Sequence, residues 1–171
     1  MRLSIPRAML AAVSMGVFLP ACADAQVESH CIQAHAFLVE NRDMAAVTEP
    51  FTLDDWRTDQ SVPGCQVTAA GVTRRSARDE AIRFFDALRE EGWVRTPDPQ
   101  DAPGESSLRF RRDGSDCLFS FYTGGLLGTE AEATVTDARV PGPGERRYGF
   151  HVMCVPAMPA APPPREGSAS R

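Results

Sequence analysis

The sequence predicts an α+β domain: an antiparallel sheet of about four to five strands, covered on one face by a helix at about residues 76–91, plus an N-terminal helix. Three observations predict it. Ala77, Ala81, Phe84, Phe85 and Leu88 recur at helical spacing between a start and a stop signal. Segments of period-two alternation follow, separated by Asp-Gly and Pro-Gly reversals. The strands come in succession and do not alternate with helices, which argues against a parallel βαβ sheet.

The elements follow in chain order. Residues 27–42 read as the N-terminal helix, with Val27, Cys31, Ala34 and Leu38 on one stripe. Residues 43–62, interrupted by Pro50 and rich in acidic groups, are expected as a long loop packed by Phe51 and Trp56. Residues 64–69 form a short strand candidate. The central helix starts at Ser76, with Asp79 and Glu80 completing an approximate capping box, and stops at Gly92, where a left-handed residue is wanted. A polar loop occupies 96–106. Leu108 and Phe110 alternate with Arg109 and Arg111, Asp113-Gly114 turns the chain, and the return strand points Cys117, Phe119 and Phe121 inward. Residues 131–140 alternate around Ala133 and Val135 and are expected as a strand. Residues 147–155 close the sheet, with Tyr148, Phe150, Val152 and Cys154 on one face.

The first 25 residues have the three zones of a secretory signal: Arg2 and Arg7, an apolar run over 8–19, and the small-x-small site Ala23-Asp24-Ala25. The apolar run is too short to span a bilayer, which needs about 20 residues. The expected organisation is therefore a signal peptide at 1–25, a disulfide-bonded domain at 27–155 and a disordered Pro/Ala-rich tail at 156–171. Leu19-Pro20-Ala21-Cys22 offers an alternative cut between Ala21 and Cys22, after which an acylated Cys22 would anchor the protein to a membrane. The expected address is periplasmic or secreted, with a lipoprotein anchored through Cys22 as the alternative.

Either cut leaves Cys31, Cys65, Cys117 and Cys154, which in an oxidising compartment read as two disulfides. The expected pairs are Cys31–Cys65, tying the first helix to the first strand, and Cys117–Cys154, joining two strands whose apolar faces both include the cysteine. No C-x-x-C pair indicates zinc or redox chemistry. His30, Cys31 and His35 crowd one stretch but lack further ligands, so neither a metal nor a cofactor is expected.

Net charge is −5 and all 18 basic residues are arginine, none clustered densely enough for a nucleic-acid footprint. No G-x-S-x-G elbow is present, and Gly124-Gly125-Leu126-Leu127-Gly128 lacks the ending of a phosphate loop. With the next segment read as a strand, that loop has no helix N-terminus to hold an anion. No catalytic residue is assigned. The one ligand-binding candidate is a cationic patch on the open sheet face, formed by Arg109, Arg111, Arg147 and His151 and suited to carboxylate or phosphate groups. The leading expectation is a non-catalytic exported domain that binds another envelope or secreted protein. A binder of small anionic ligands through the arginine patch is the alternative, and an enzyme of unknown class the third.

Overall fold

The structure, a computed structural model, describes residues 29–55, 59–96 and 107–157. The expected export signal, Val27, Trp56, most of the polar loop and the tail beyond 157 lie outside those residues. Six strands form one antiparallel sheet in the order β1-β2-β6-β5-β4-β3. They are β1 (Ala45–Asp55), β2 (Gln60–Thr73), β3 (Val94–Arg95), β4 (Ser107–Arg112), β5 (Ser115–Tyr122) and β6 (Arg146–Pro156). The helices are α1 (Ile32–Ala36, continued by a wider π-helical turn over Phe37–Asn41), α2 (Ala77–Glu90) and α3 (Glu130–Ala138). The architecture is mixed α+β, and the last strand in sequence sits in the middle of the sheet.

α2 forms where local signals converge. The Ser76 hydroxyl accepts from the Asp79 amide at 3.1 Å, and acidic residues occupy the first turn. At the other end Gly92 adopts φ +87°, and the amides of Gly92 and Trp93 donate to the carbonyls of Arg89 and Leu88. That is the two-bond Schellman closure, and it needs the left-handed conformation glycine reaches freely.

The core lies between the sheet and helices α1 and α2. Phe84 is stacked on Phe150, with ring centroids 3.5 Å apart, and takes the edge of Phe37 at 5.3 Å. The disulfides Cys31–Cys65 and Cys117–Cys154 belong to the same core, and all four cysteines are fully buried. Cys65, Cys154 and Cys117 occupy one row across β2, β6 and β5, and Cys31 arrives over the row from α1.

Buried electrostatics clamp one end of this layer. Glu80, 2% exposed, accepts from Arg42 at 2.6 Å and Thr73 at 2.8 Å and pairs with Arg75 at 3.4 Å. Arg42 also lies over the Phe84 ring. One carboxylate thereby joins α2 to the end of β2 and to the chain that leaves α1.

The structure corrects four expectations. Residues 43–62 are not a loop: β1 and the start of β2 form a long hairpin, turning at Asp59, whose φ is +53°. Pro50 is tolerated because β1 is an edge strand, where a missing N–H costs no ladder bond. The strand expected at 64–69 accordingly runs from Gln60 to Thr73, and β1 together with the short β3 brings the sheet to six strands. Residues 131–140 form helix α3, not a strand. Ala131 and Val135, four apart, are the buried pair, and the alternation of small residues between them carried no strand signal. β6 runs from Arg146 to Pro156, one residue longer at each end than the strand expected at 147–155.

Candidate functional site

One face of the sheet carries α1 and α2. On the other face α3 covers one end of β1 and β2. Strand alternation puts Arg109 and Arg111 of β4 and Arg147 and His151 of β6 on this second face, opposite Phe110, Tyr148 and Phe150. The four share a face without converging. Strand β5 lies between their strands, and in register Ser120 stands between His151 and Ser107 while Leu118 stands between Arg109 and Met153.

Each has its own local setting. Arg111 grips Asp116 with two bonds of 2.6 and 2.8 Å, and this hydrogen-bonded pairing raises the guanidinium pKa against the opposing effect of burial. Arg147 donates to the carbonyl of Arg139 at 3.1 Å, satisfying the C-terminal end of α3. Arg109 is half-buried on β4. The His151 Nε2 lies 3.1 Å from Gln66 Oε1, and Gln66 in turn donates to Glu49 at 3.4 Å. Burial pushes the His151 pKa down, partly opposed by Glu132 and Glu49, so the ring is neutral at pH 7.

The glycine-rich segment holds an anion of its own. The amides of Leu126, Leu127 and Gly128 donate to the Glu132 carboxylate at 2.9, 3.0 and 2.8 Å. The Tyr122 hydroxyl adds a further bond. Burial pulls the Glu132 pKa up, but these donors outweigh it and hold the carboxylate below its ordinary value of 4.5. Burial, with Glu132 beside it, pushes Tyr122 up to about 12. A Cβ on Gly149 would run into the Tyr122 ring, so glycine there lets the ring lie across β6. The segment therefore does precede a helix N-terminus, contrary to expectation, and the chain's own carboxylate fills the cradle. Sequence reasoning missed Glu132, although Thr129-x-x-Glu132 is a capping-box spacing and Thr129 does accept from the Glu132 amide at 3.2 Å.

The histidines near the first cysteine go separate ways. His30 Nδ1 is 2.7 Å from the Ser115 hydroxyl and His35 Nδ1 is 2.9 Å from the Thr48 hydroxyl, while Cys31 is in its disulfide. Ser115 is buried, so its contact with His30 fastens the segment before α1 to the β4–β5 hairpin. Among the described residues no group of three or more His, Cys, Asp and Glu side chains could hold a metal ion.

The remaining feature is a groove of about 500 Å³ along the margin of the sheet. It is lined by Ile32, His35, Ala36, Val39 and Glu40 of α1 and by Thr48 of β1. Ile32 and Val39, which both line it, are 59% and 38% exposed. Beside them runs β1, eleven residues long, which among the described residues is paired only on its β2 side.

Comparison with protein-family models, curated proteins and solved structures returned no match.

Chemically, the sheet margin can do two things that the arginine face is not arranged to do. Its apolar stripe can lose surface from water, and its strand edge, unpaired on the outer side among the described residues, can hydrogen-bond an extended chain. The His151–Gln66–Glu49 chain lies on the arginine face, with Ser120 the cross-strand neighbour of His151. No helix among the described residues is long and apolar enough to cross a membrane.

Proposed function

We propose that this protein is a non-catalytic exported domain that binds another envelope or secreted protein through the α1–β1 margin of its sheet. The observation that carries the reading is the coincidence of an exposed apolar stripe, Ile32 and Val39, with a long edge strand unpaired on its outer side among the described residues. Long exposed edges invite pairing with foreign chains, and folded proteins usually cover or blunt them. Here Pro50 blunts only the middle of β1 and leaves residues 45–49, among them the groove-lining Thr48, before it.

Export is part of the proposal. It rests on the N-terminal charge, apolar run and Ala23-Asp24-Ala25 site, together with two buried disulfides of the kind oxidising compartments preserve. The free periplasmic or secreted form starts at Gln26; the membrane-anchored form starts at an acylated Cys22. Intact mass of the mature protein, before and after reduction, distinguishes them and counts the thiols.

The binding reading is tested by presenting the mature domain, immobilised away from α1, to envelope extract and to culture medium. Retained proteins are then titrated in purified form. A partner with a defined Kd supports the reading, and its absence across independent preparations overturns it.

A further inference from the structure

We infer that the partner is a basic, extended segment that adds to the sheet as a seventh strand along residues 45–49 of β1. This rests on the partner-binding reading above and goes further by naming the mode of binding and the chemistry of the ligand.

The geometry supplies the mode. A strand added beyond β1 would lie about 4.8 Å from it and expose its side chains alternately to the two sheet faces. Side chains on the helix side enter the groove beside Ile32, Ala36 and Val39, where apolar groups are the complement. Thr48 lines that groove with its hydroxyl 2.9 Å from His35 Nδ1.

Charge supplies the chemistry. Between Cys31 and Asp55 the only arginine is Arg42, turned inward onto Glu80 and the Phe84 ring, and Arg139, which reaches the start of β1 from beyond α3, is taken up by Asp43 at 2.8 Å. The acidic groups point elsewhere. Glu40 lines the groove on the helix side, Glu49 stands on the opposite sheet face beside Gln66, and Asp54 is exposed further along β1. An incoming strand therefore meets a carboxylate on each of its faces. Opposite charges directly across a strand pair stabilise it and like charges weaken it, so the margin selects Arg or Lys. Pro50 ends the ladder by removing a donor, which limits the added strand to about five residues.

The test uses the full mature protein and a ten-residue peptide of alternating Val and Arg, followed by fluorescence anisotropy at low and high salt. Two control peptides carry Glu in place of Arg, or a central proline that keeps the charge and breaks the ladder. We expect both controls to bind at least about tenfold more weakly than the Val–Arg peptide. Ile32→Asp and Val39→Asp should each weaken binding severalfold although they add attractive negative charge, which separates strand addition from unspecific attraction. Both positions are exposed, and thermal melts confirm that the variants fold. In the wild-type protein, hydrogen exchange at amides 45–49 should slow on binding.

Equal affinity for the proline peptide, equal affinity for the Glu peptide, or protection at β4 in place of β1 overturns the inference. So does a dimer in analytical ultracentrifugation that Ile32→Asp dissolves, since that assigns the margin to a second copy. A purified natural partner bound equally by wild type and the Ile32→Asp/Val39→Asp variant also overturns it while leaving partner binding intact. The absence of any partner removes the broader reading as well.

Discussion

Replacing Glu132 by Gln should destabilise the protein and flatten its response to acid. The carboxylate, 7% exposed, receives three backbone amides and the Tyr122 hydroxyl. Hydrogen bonds to a charged group contribute about 1.5–3 kcal/mol each, and a buried donor left without an acceptor costs about 1–3 kcal/mol. Glutamine retains one acceptor oxygen, and water reaches the exposed loop around Leu126 and Gly128. The net loss at pH 7 should therefore be about 2–3 kcal/mol, less than the sum of the separate bonds. The pH dependence has a definite sign. A carboxylate whose folded pKa is depressed contributes stability that is fully present above its unfolded value of 4.5 and is lost as pH falls through the folded value. Urea unfolding followed by far-UV circular dichroism from pH 7 to pH 3 measures both effects. Wild type should lose stability below about pH 5, and Glu132→Gln should lose measurably less over the same interval. A variant with wild-type stability at pH 7 and an unchanged acid slope would refute the idea that the loop is organised around this carboxylate.

Three further outcomes are expected. Glu80→Ala leaves the half-buried Arg42 without its carboxylate and should cost about 3 kcal/mol in urea unfolding, the low end for breaking a buried pair because Arg42 keeps some contact with water. Removing either disulfide as a Cys→Ser pair should cost about 4 kcal/mol by loop-closure arithmetic for separations of 34 and 37 residues, read as a lower urea midpoint under non-reducing conditions. Phe84→Ala deletes the ring stacked on Phe150 and beneath Arg42 and should cost about 3–5 kcal/mol, with loss of near-UV circular dichroism intensity.

The parts of this fold that were legible in sequence are those written locally. Ser76 and Gly92 bracket α2, and Asp113-Gly114 marks the β4–β5 turn, where both residues adopt positive φ. What was not legible depends on neighbours. Pro50 reads as a strand breaker unless β1 is known to lie at the edge. Ala131, Ala133 and Val135 satisfy a period of two as readily as a helix, and the decision rests on Thr129 and Glu132 cooperating at the helix start. The arginines show the same division. Alternation placed Arg109 and Arg111 on one face, but the capture of Arg111 by Asp116 and of Arg147 by the Arg139 carbonyl belongs to the assembled sheet. The groove was invisible because it needs α1 and β1 side by side.

The position of β6 has a consequence for how the molecule is made. During synthesis the β1–β2 and β4–β5 hairpins emerge first, yet within the sheet they are joined through β6, a strand that is still to come. Cys31 can meet Cys65 as soon as residue 65 is delivered, whereas Cys117 must wait for Cys154. An unfinished chain therefore has two hairpins not yet joined in the sheet and Cys117 still without its partner, and the final strand, slotted between them like a bolt, completes both at once.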